Sequence, residues 1–231
     1  MKPLEKHEQF EMQVLDMMRK EKLLERLVFG GGTMLRLCHQ LSRFSVDLDF
    51  FLKDPFVNFK ADFKKLVNSA KNAGWQITDQ IEKHFSWLLE IKGQGFPRRL
   101  KIEIRKDETN AKDQEIAIAF SPYEPVIQVR LTVCTLKQMW NNKLSALLDR
   151  KAIRDAYDLE FMIRRGIKDF SQTDKKALSD LKNIISNFKQ QDFHSILGSL
   201  LPPEERKRIE KSGFVLLTSA LQEEMSKDDE Q

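Results

Sequence analysis

Residues 28–52 read VFGGGTMLRLCHQLSRFSVDLDFFL, and the prediction of the fold starts from this stretch. Three glycines, Gly30 to Gly32, follow an apolar pair and precede Thr33 and a run of apolar residues at helical spacing. Further along, apolar residues alternate with Asp47 and Asp49, which is the period-two pattern of a strand. The stretch therefore predicts a strand, a glycine turn, a short helix with Thr33 as its N-cap, and a second strand over residues 45–52.

Hydrophobic periodicity predicts the elements on both sides of this stretch. It indicates helices over about residues 8–28 and 59–73, and strands over residues 87–92, 100–105 and 127–133, with turn residues at 93–97 joining two strands as a hairpin. After Thr135 we expect only helices, over about residues 136–148, 152–165, 173–189 and 203–226. The sequence thus predicts an α+β domain of residues 1–134 followed by a helical domain of residues 135–231.

The composition is that of an ordinary globular protein, with 231 residues, 41% of them hydrophobic and 32% charged. A formal net charge of +4 is a mild excess that is compatible with a nucleic acid or a triphosphate as partner, and it carries little weight. The N-terminus leads into no apolar run of signal-peptide or membrane length, so we expect a cytoplasmic protein without membrane association. Cys38 and Cys134 have apolar neighbours and are expected to be free thiols, and the scattered histidines lack the spacing of a zinc site.

The pair Asp47 and Asp49 has the geometry of a magnesium site. Two carboxylates at i and i+2 leave the same face of a strand, close enough to bind one hard cation or to bracket two. Magnesium prefers oxygen ligands and usually completes its shell with substrate phosphates. For the pair alone, the alternative is an edge strand that carries charges for solubility.

The glycine turn supplies the other half of a nucleotide site. Glycine at Gly31 and Gly32 lets the backbone approach a phosphate closely, and the helix that follows points its free amides at an anion. Thr33 adds a hydroxyl, and Arg43 and Ser45 lie between the turn and the aspartates. The combination favours binding of a nucleoside triphosphate with magnesium.

A third carboxylate is predicted on the strand of residues 100–105. Leu100, Ile102 and Ile104 form its buried side, and Glu103 lies on the opposite face with Lys101 and Arg105. If this strand lies beside the Asp47 strand, Glu103 completes the metal site or accepts the proton of an attacking hydroxyl. The alternative is a strand with one solvated, charged face.

Two segments resemble the AbiEii/AbiGii toxin family of nucleotidyltransferases. The first is Gly31–Leu37 followed by Arg43–Phe50, and the second is Lys143–Arg150 followed by Arg154–Leu159. The resemblance spans about residues 28–165 in one order. It implies a polymerase-β-like nucleotidyltransferase fold, in which a mixed sheet with flanking helices precedes a helical C-terminal half.

The resemblance also implies roles for individual positions. Gly32 and Thr33 match the family's glycine and hydroxyl element, and Asp47 and Asp49 match its metal-binding aspartates. Further along, the matched positions are a lysine that meets the nucleotide phosphates and an acidic pair counted with the active site, namely Lys143, Asp155 and Asp158.

The acidic pair could instead be structural, and one segment departs from the family pattern. Asp155 could form an ion pair with Arg150, Lys151 or Arg154, and Asp158 could cap a helix or contact another helix. The chain has Gln40-Leu41-Ser42 before Arg43, where many relatives carry glycine and a basic residue. The loop between the short helix and the strand is therefore expected to make different contacts from those of the relatives, whereas the aspartates are unaffected.

The function implied by the resemblance is that of the toxin in a toxin–antitoxin or abortive-infection system. The expected reaction is in-line attack by a hydroxyl on the α-phosphorus of a nucleoside triphosphate, with two Mg²⁺ ions and release of pyrophosphate. The expected partners are an RNA acceptor, the 3′ end of a tRNA, and an antitoxin encoded nearby. The alternatives are transfer to a protein or small-molecule hydroxyl, and a non-catalytic module that binds RNA or a partner on the same fold.

Overall fold

The computed structural model describes residues 1–54, 56–106 and 111–227. The chain divides into two compact units, Met1–Thr135 and Leu136–Gln231. The first unit contains a seven-stranded mixed sheet with helices, and the described part of the second unit is helical. The predicted α+β class with a mixed sheet is therefore confirmed. None of the helices in the described ranges has the length and apolarity needed to cross a bilayer.

The first unit is built around its sheet. Its helices are α1 (Pro3–Lys20), α2 (Gly31–His39) and α3 (Lys60–Asn72), and its strands are β1 (Leu27–Gly30), β2 (Asp47–Leu52), β3 (Gln76–Glu82), β4 (Ser86–Lys92), β5 (Leu100–Arg105), β6 (Gln114–Phe120) and β7 (Gln128–Cys134). The strand order is β3-β4-β5-β2-β1-β7-β6. The β2–β5 and β1–β7 pairs are parallel and the other neighbours are antiparallel. The strand with the two aspartates, β2, thus lies at the centre of the sheet.

Helix α1 differs from the helix predicted over residues 8–28. It begins at Pro3, where proline fits because the first-turn N–H has no intrahelical partner. It ends at Lys20, and Lys22 takes a left-handed conformation with φ of 59° that stops the helix. The next apolar residues, Leu23, Leu24 and Leu27, are also buried, but they lie in a 3-10 turn (Leu23–Arg26) and in β1. Their helical spacing reflected burial on one side and not a continuous helix.

The strands of the central sheet match the prediction within two residues, but two strands were missed. β3 and β6 are the two edges of the sheet, and most of their side chains are exposed. On β6 the outward residues Ile116, Ile118 and Phe120 are apolar and exposed. Because most side chains of β3 and β6 are exposed, burial does not impose on these strands the alternation of buried apolar and exposed polar residues on which the prediction relies.

The second unit contains α4 (Leu136–Arg150), α5 (Ile153–Arg164), α6 (Lys175–Ser186), α7 (Pro203–Ser212) and α8 (Val215–Lys227), with short helical turns at Asp192–Leu197 and Gly198–Leu200. The single helix predicted over residues 203–226 is two helices, because Gly213 has a positive φ of 56° and interrupts them. Trp140 is fully buried, and its indole N–H donates to the Asp169 carbonyl at 2.6 Å. A tryptophan fixed in this way anchors α4 to the segment before α6.

The two faces of β2 have different surroundings. Leu48 and Phe50 are fully buried together with Ile102 and Ile104 of β5. Asp47 and Asp49 leave the opposite face and are partly exposed. Each fully buried aliphatic or aromatic side chain stabilises the fold by about 1.5–3 kcal/mol. The apolar face therefore fixes the strand, and the polar face is left for chemistry.

The substitution Ile102→Ala tests this division between the faces. Ile102 is fully buried and lies in register with Leu48 and Leu89, so its truncation should lower the free energy of unfolding by about 2–5 kcal/mol. Urea unfolding followed by circular dichroism measures this loss. The matched control, Ile116→Ala on the exposed face of β6, should change the free energy by less than about 0.5 kcal/mol. Equal losses in the two variants would contradict the assignment of inner and outer faces.

Candidate active site

The carboxylate of Asp49 lies directly against the backbone of Gly31. Gly31 is the first residue of α2, has a φ of 73°, and follows Gly30, the partner of Asp49 in the β1–β2 ladder. A Cβ atom on Gly31 would lie 2.9 Å from the Cβ of Asp49 and would overlap its Oδ2. Both the left-handed conformation and this contact require glycine. The turn and the carboxylate are therefore one structural unit.

Position 32 also requires glycine, because of its contacts with other side chains. A Cβ atom at this position would overlap the Arg43 guanidinium and would lie 2.8 Å from the Ser45 hydroxyl. Arg43 is buried, and its Nη1 donates to the Phe44 carbonyl at 3.0 Å. The segment before β2 thus brings a cation and a hydroxyl to the first turn of α2. The sequence predicted both side chains near the nucleotide, and the structure brings them to the predicted glycines.

Thr33 has a role that differs from the predicted N-cap. The N-cap of α2 is Gly30, and Thr33 is the third helical residue and fully buried. Its hydroxyl donates to the Asp47 carbonyl at 2.6 Å. The hydroxyl is thus committed to the protein backbone. The N–H groups in the first turn of a helix have no intrahelical acceptors, so this turn, which has no side-chain cap, is suited to bind an anion.

The register of β2 and β5 places Glu103 beside the aspartates. Asp47 is the partner of Lys101, and Asp49 is the partner of Glu103. Since directly paired residues point to the same face, Asp47, Asp49 and Glu103 share one face of the sheet. The adjacency on which the Glu103 prediction depended is present.

Two cations lie among these carboxylates. Lys101 Nζ is 3.8 Å from Asp47 Oδ2 and 3.4 Å from Glu103 Oε2, and Arg105 Nε is 3.8 Å from Glu103 Oε1. Within the described ranges, no three His, Cys, Asp or Glu side chains are grouped to hold a metal ion by themselves. The expected cluster of three carboxylates is thus not preassembled by the protein alone.

The donor set nevertheless fits magnesium. Magnesium usually takes one or two carboxylates from the protein and fills its shell with water and substrate phosphates. Asp47 and Asp49 offer two such carboxylates, and Asp49 packs on the glycine turn, whose backbone leaves no room for a side chain. A metal held here would share ligands with a triphosphate on the first turn of α2.

In the helical unit, Lys143 lies between Asp155 and Asp158. Its Nζ is 3.0 Å from Asp155 Oδ1 and 2.6 Å from Asp158 Oδ2, and all three side chains are buried. Arg150 also binds Asp155 through two hydrogen bonds of 2.7 Å, which is one of the alternatives that the sequence allows. The three residues assigned by resemblance therefore form one cluster, in which the lysine charge is already shared by two carboxylates.

The charges of this cluster are fixed by their neighbours. Burial by itself would raise the pKa of Asp155, but hydrogen bonds from Arg150 and the charge of Lys143 outweigh it and lower the pKa to about 2. Asp155 is thus ionised throughout the neutral range. Removal of Lys143 would take a cation away from two buried carboxylates, of which Asp155 would keep Arg150.

Sequence reasoning missed a buried polar group on α1. His7, Glu8 and Glu11 are each at most 2% exposed. Burial, and then the negative charges of Glu8 and Asp47, raise the pKa of Glu11 well above its ordinary value. His7 and Glu11 are four residues apart, on the face that also carries Val14, and titratable residues on the apolar face of a helix are the signal that could have identified them.

Cys38 and Cys134 are not joined in a disulfide, as the sequence predicts. Burial raises the pKa of Cys38 and of Cys134 to about 12. Such thiols are not nucleophiles at neutral pH. Neither contributes to the chemistry of the site.

Comparison with known proteins identifies the family and the fold. The model of a family described as "Nucleotidyl transferase AbiEii toxin, Type IV TA system" matches residues 13–227. The structure of MenT4, a nucleotidyltransferase toxin from Mycobacterium tuberculosis, aligns with a TM-score of 0.57 and 18% identity over 91% of this chain and 82% of that chain. A candidate nucleotidyltransferase from H. pylori aligns with a TM-score of 0.51 and 19% identity over 94% of this chain and 97% of that chain. A search of curated protein sequences found no significant match.

At these identities the two structures show a shared fold and nothing more specific. The family match also identifies the kind of enzyme, because it extends over most of the chain and includes the glycine turn, the Asp47–Asp49 pair and the Lys143 cluster. The chain therefore belongs to the AbiEii family and is a nucleotidyltransferase of the toxin type that operates in type IV toxin–antitoxin systems.

Proposed function

We propose that this nucleotidyltransferase transfers a nucleotide from a nucleoside triphosphate to the 3′ end of an RNA in the cytoplasm, with a tRNA as the first candidate acceptor. The observation that carries the proposal is the packing of the Asp49 carboxylate on the Gly31 backbone. This contact joins a metal-binding carboxylate to an anion-binding helix end. Membership of the family also implies a cognate antitoxin, which we expect to be encoded nearby.

The triphosphate is bound in this proposal by the first turn of α2. The amides of Gly31, Gly32 and Thr33 would hold the β- and γ-phosphates, since helix N-termini bind anions through N–H groups and the helix dipole. Arg43 lies against Gly32 and would neutralise the departing pyrophosphate. Ser45 adds a hydroxyl on the same side.

Asp47 and Asp49 would hold magnesium, with two ions expected from the family resemblance. When bound, magnesium neutralises the phosphates and makes the acceptor hydroxyl a better nucleophile. Glu103 lies in register with Asp49 and would act as a further ligand or accept the acceptor's proton. Lys101, which contacts Asp47 and Glu103, balances the charge of the carboxylates in the protein alone.

A role for Lys143 in transfer stays a prediction. Its ammonium group is engaged by Asp155 and Asp158 in the helical unit, so the cluster has a structural function whatever else it does. A direct role in phosphate binding would require Lys143 to act on the substrate in addition to holding these carboxylates. Substitutions at Lys143 and Asp158 can separate the two functions.

The substitution Asp49→Asn tests the metal assignment. The amide keeps the shape of the side chain but removes the charge that binds magnesium, so transfer should fall below about one hundredth of wild type. The purified protein is incubated with each α-³²P-labelled triphosphate plus total RNA or total protein, and the labelled fraction is measured. Asp79→Asn, an exposed aspartate on the edge strand β3, serves as the control and should keep full activity.

The same assay identifies the acceptor. Label in RNA that migrates with tRNA supports the proposal, and label in protein assigns the hydroxyl to a protein side chain. Full activity of Asp49→Asn would remove the metal assignment. RNA binding without any transfer by the wild type would identify the chain as a non-catalytic module.

The substitution Gly32→Ala tests the phosphate-binding turn. The new Cβ would overlap the Arg43 guanidinium and crowd Ser45, so the KM for the triphosphate should rise by about tenfold. Steady-state kinetics at saturating acceptor measure this value. Gly74→Ala is the control for stability, because it strains a positive-φ position with open space around it and should leave KM unchanged. An unchanged KM in Gly32→Ala would place the triphosphate elsewhere.

The substitution Lys143→Met separates stability from activity. It leaves Asp158 buried without its lysine, and the unfolding free energy should fall by about 3–5 kcal/mol. The double variant Lys143→Met/Asp158→Asn also removes the carboxylate charge that lost its lysine and should recover part of the lost stability in thermal unfolding. A direct role of Lys143 predicts that the double variant still lacks transfer activity. Recovery of wild-type activity would show that Lys143 is structural only.

A further inference from the structure

The start of β2 extends past the end of its neighbour β1. The ladder between them ends at Gly30, which is paired with Asp49, so within the described ranges Asp47 and the preceding Val46 have no partner on β1. A carbonyl group near the interior needs a hydrogen-bond donor, or its desolvation is costly. The residue that carries the first metal-binding carboxylate therefore lies beyond the backbone donors that β1 provides.

Side chains from α1 and α2 supply the missing donors. His7 Nε2 lies 3.0 Å from the Val46 carbonyl oxygen, and the Thr33 hydroxyl donates to the Asp47 carbonyl oxygen at 2.6 Å. Both side chains are fully buried. Two consecutive carbonyls, on either side of the Asp47 nitrogen and Cα, are thus held by residues outside the sheet.

The two carbonyl acceptors determine which side-chain atoms carry the hydrogens in this arrangement. A carbonyl only accepts, so Nε2 of His7 carries a hydrogen, and burial lowers the pKa of His7 and keeps the ring neutral. The Thr33 hydroxyl donates its hydrogen to the Asp47 carbonyl oxygen. Each of the two carbonyls thus accepts a hydrogen bond from a side chain.

A second set of contacts holds the other end of the same segment. Glu8 binds Arg36 Nε at 2.7 Å, and Arg36 Nη1 donates to the Leu41 and Ser42 carbonyls at 3.0 and 2.9 Å. Residues 41–47 are thus fixed at both ends by hydrogen bonds that begin on α1 or α2. This segment also presents Arg43 to the glycine turn.

We propose that His7 is a positioning residue for the reaction: by holding the Val46 carbonyl, it sets the orientation of the Asp47 carboxylate, as Thr33 does through the Asp47 carbonyl. The inference rests on the proposed function, since it concerns the same site. If His7 only filled the interior, an apolar side chain of similar size would serve equally well, because burying a polar group has a desolvation cost. The hydrogen bond to the strand end gives the imidazole a specific use.

The experiment compares three variants on α1. His7→Phe fills a similar volume but has no donor, His7→Gln restores an amide donor, and Met18→Ala is a control that creates a cavity on the same helix at a fully buried position. We expect His7→Phe to lower kcat by about ten- to a hundredfold, since small misplacements of catalytic groups have effects of this size. The KM for the triphosphate should change little, whereas the magnesium concentration that gives half-maximal rate should rise. His7→Gln should recover part of kcat.

Hydrogen exchange provides a readout that does not require activity. In His7→Phe, backbone amides in residues 41–49 should exchange faster, whereas in Met18→Ala the increase should not be concentrated in this segment. The proposal is overturned if His7→Phe and Met18→Ala exchange amides equally fast in residues 41–49 and lose equal amounts of kcat for the same loss of unfolding free energy. A wild-type protein that transfers no nucleotide would remove the proposed function, while the exchange data would still decide whether His7 holds the segment.

Discussion

The structure depends on a contact that only glycine allows: the carboxylate of Asp49 rests on the backbone at position 31, where a side chain would overlap it. The contact lies where the β1–β2 ladder ends, with Gly30 paired to Asp49, and where α2 begins at Gly31. Gly32 leaves room in the same way for Arg43 and Ser45. Two adjacent glycines thereby bring three polar side chains to one helix end.

The electrostatics of the site follow from this arrangement. Three carboxylates on β2 and β5 would repel one another, and Lys101 and Arg105 reduce that repulsion in the protein alone. The cations lie on the side of β5, whereas the glycine turn lies on the side of β1. The first unit thus combines partly balanced acidic groups with a helix end that attracts phosphate, which is the charge distribution that a metal–triphosphate complex requires. The helical unit has its own buried charge cluster around Lys143, in which each charge has a partner.

The sequence predicted the central parts of the fold well because local patterns describe them. The alternation over Asp47–Leu52 and the three glycines specify a strand and a turn through backbone geometry alone. The prediction was wrong where the pattern of apolar residues does not reflect the backbone conformation or the burial. Leu23 and Leu24 continue a helical spacing but lie in a 3-10 turn, and the edge strand β6 exposes apolar residues. The hydrogen bond from His7 to Val46 was out of reach for a different reason, since it joins residues 39 positions apart. Thr33 was recognised as important, but its hydroxyl binds the strand and does not cap its helix.

The most direct test of the proposed site is a crystal structure with a non-hydrolysable nucleoside triphosphate and Mn²⁺, in which anomalous scattering locates the metal. We expect a manganese peak bonded to both Asp47 and Asp49, with the phosphates on the first-turn amides of α2. A manganese peak remote from these carboxylates, or phosphates bound away from Gly31 and Gly32, would contradict the assignment.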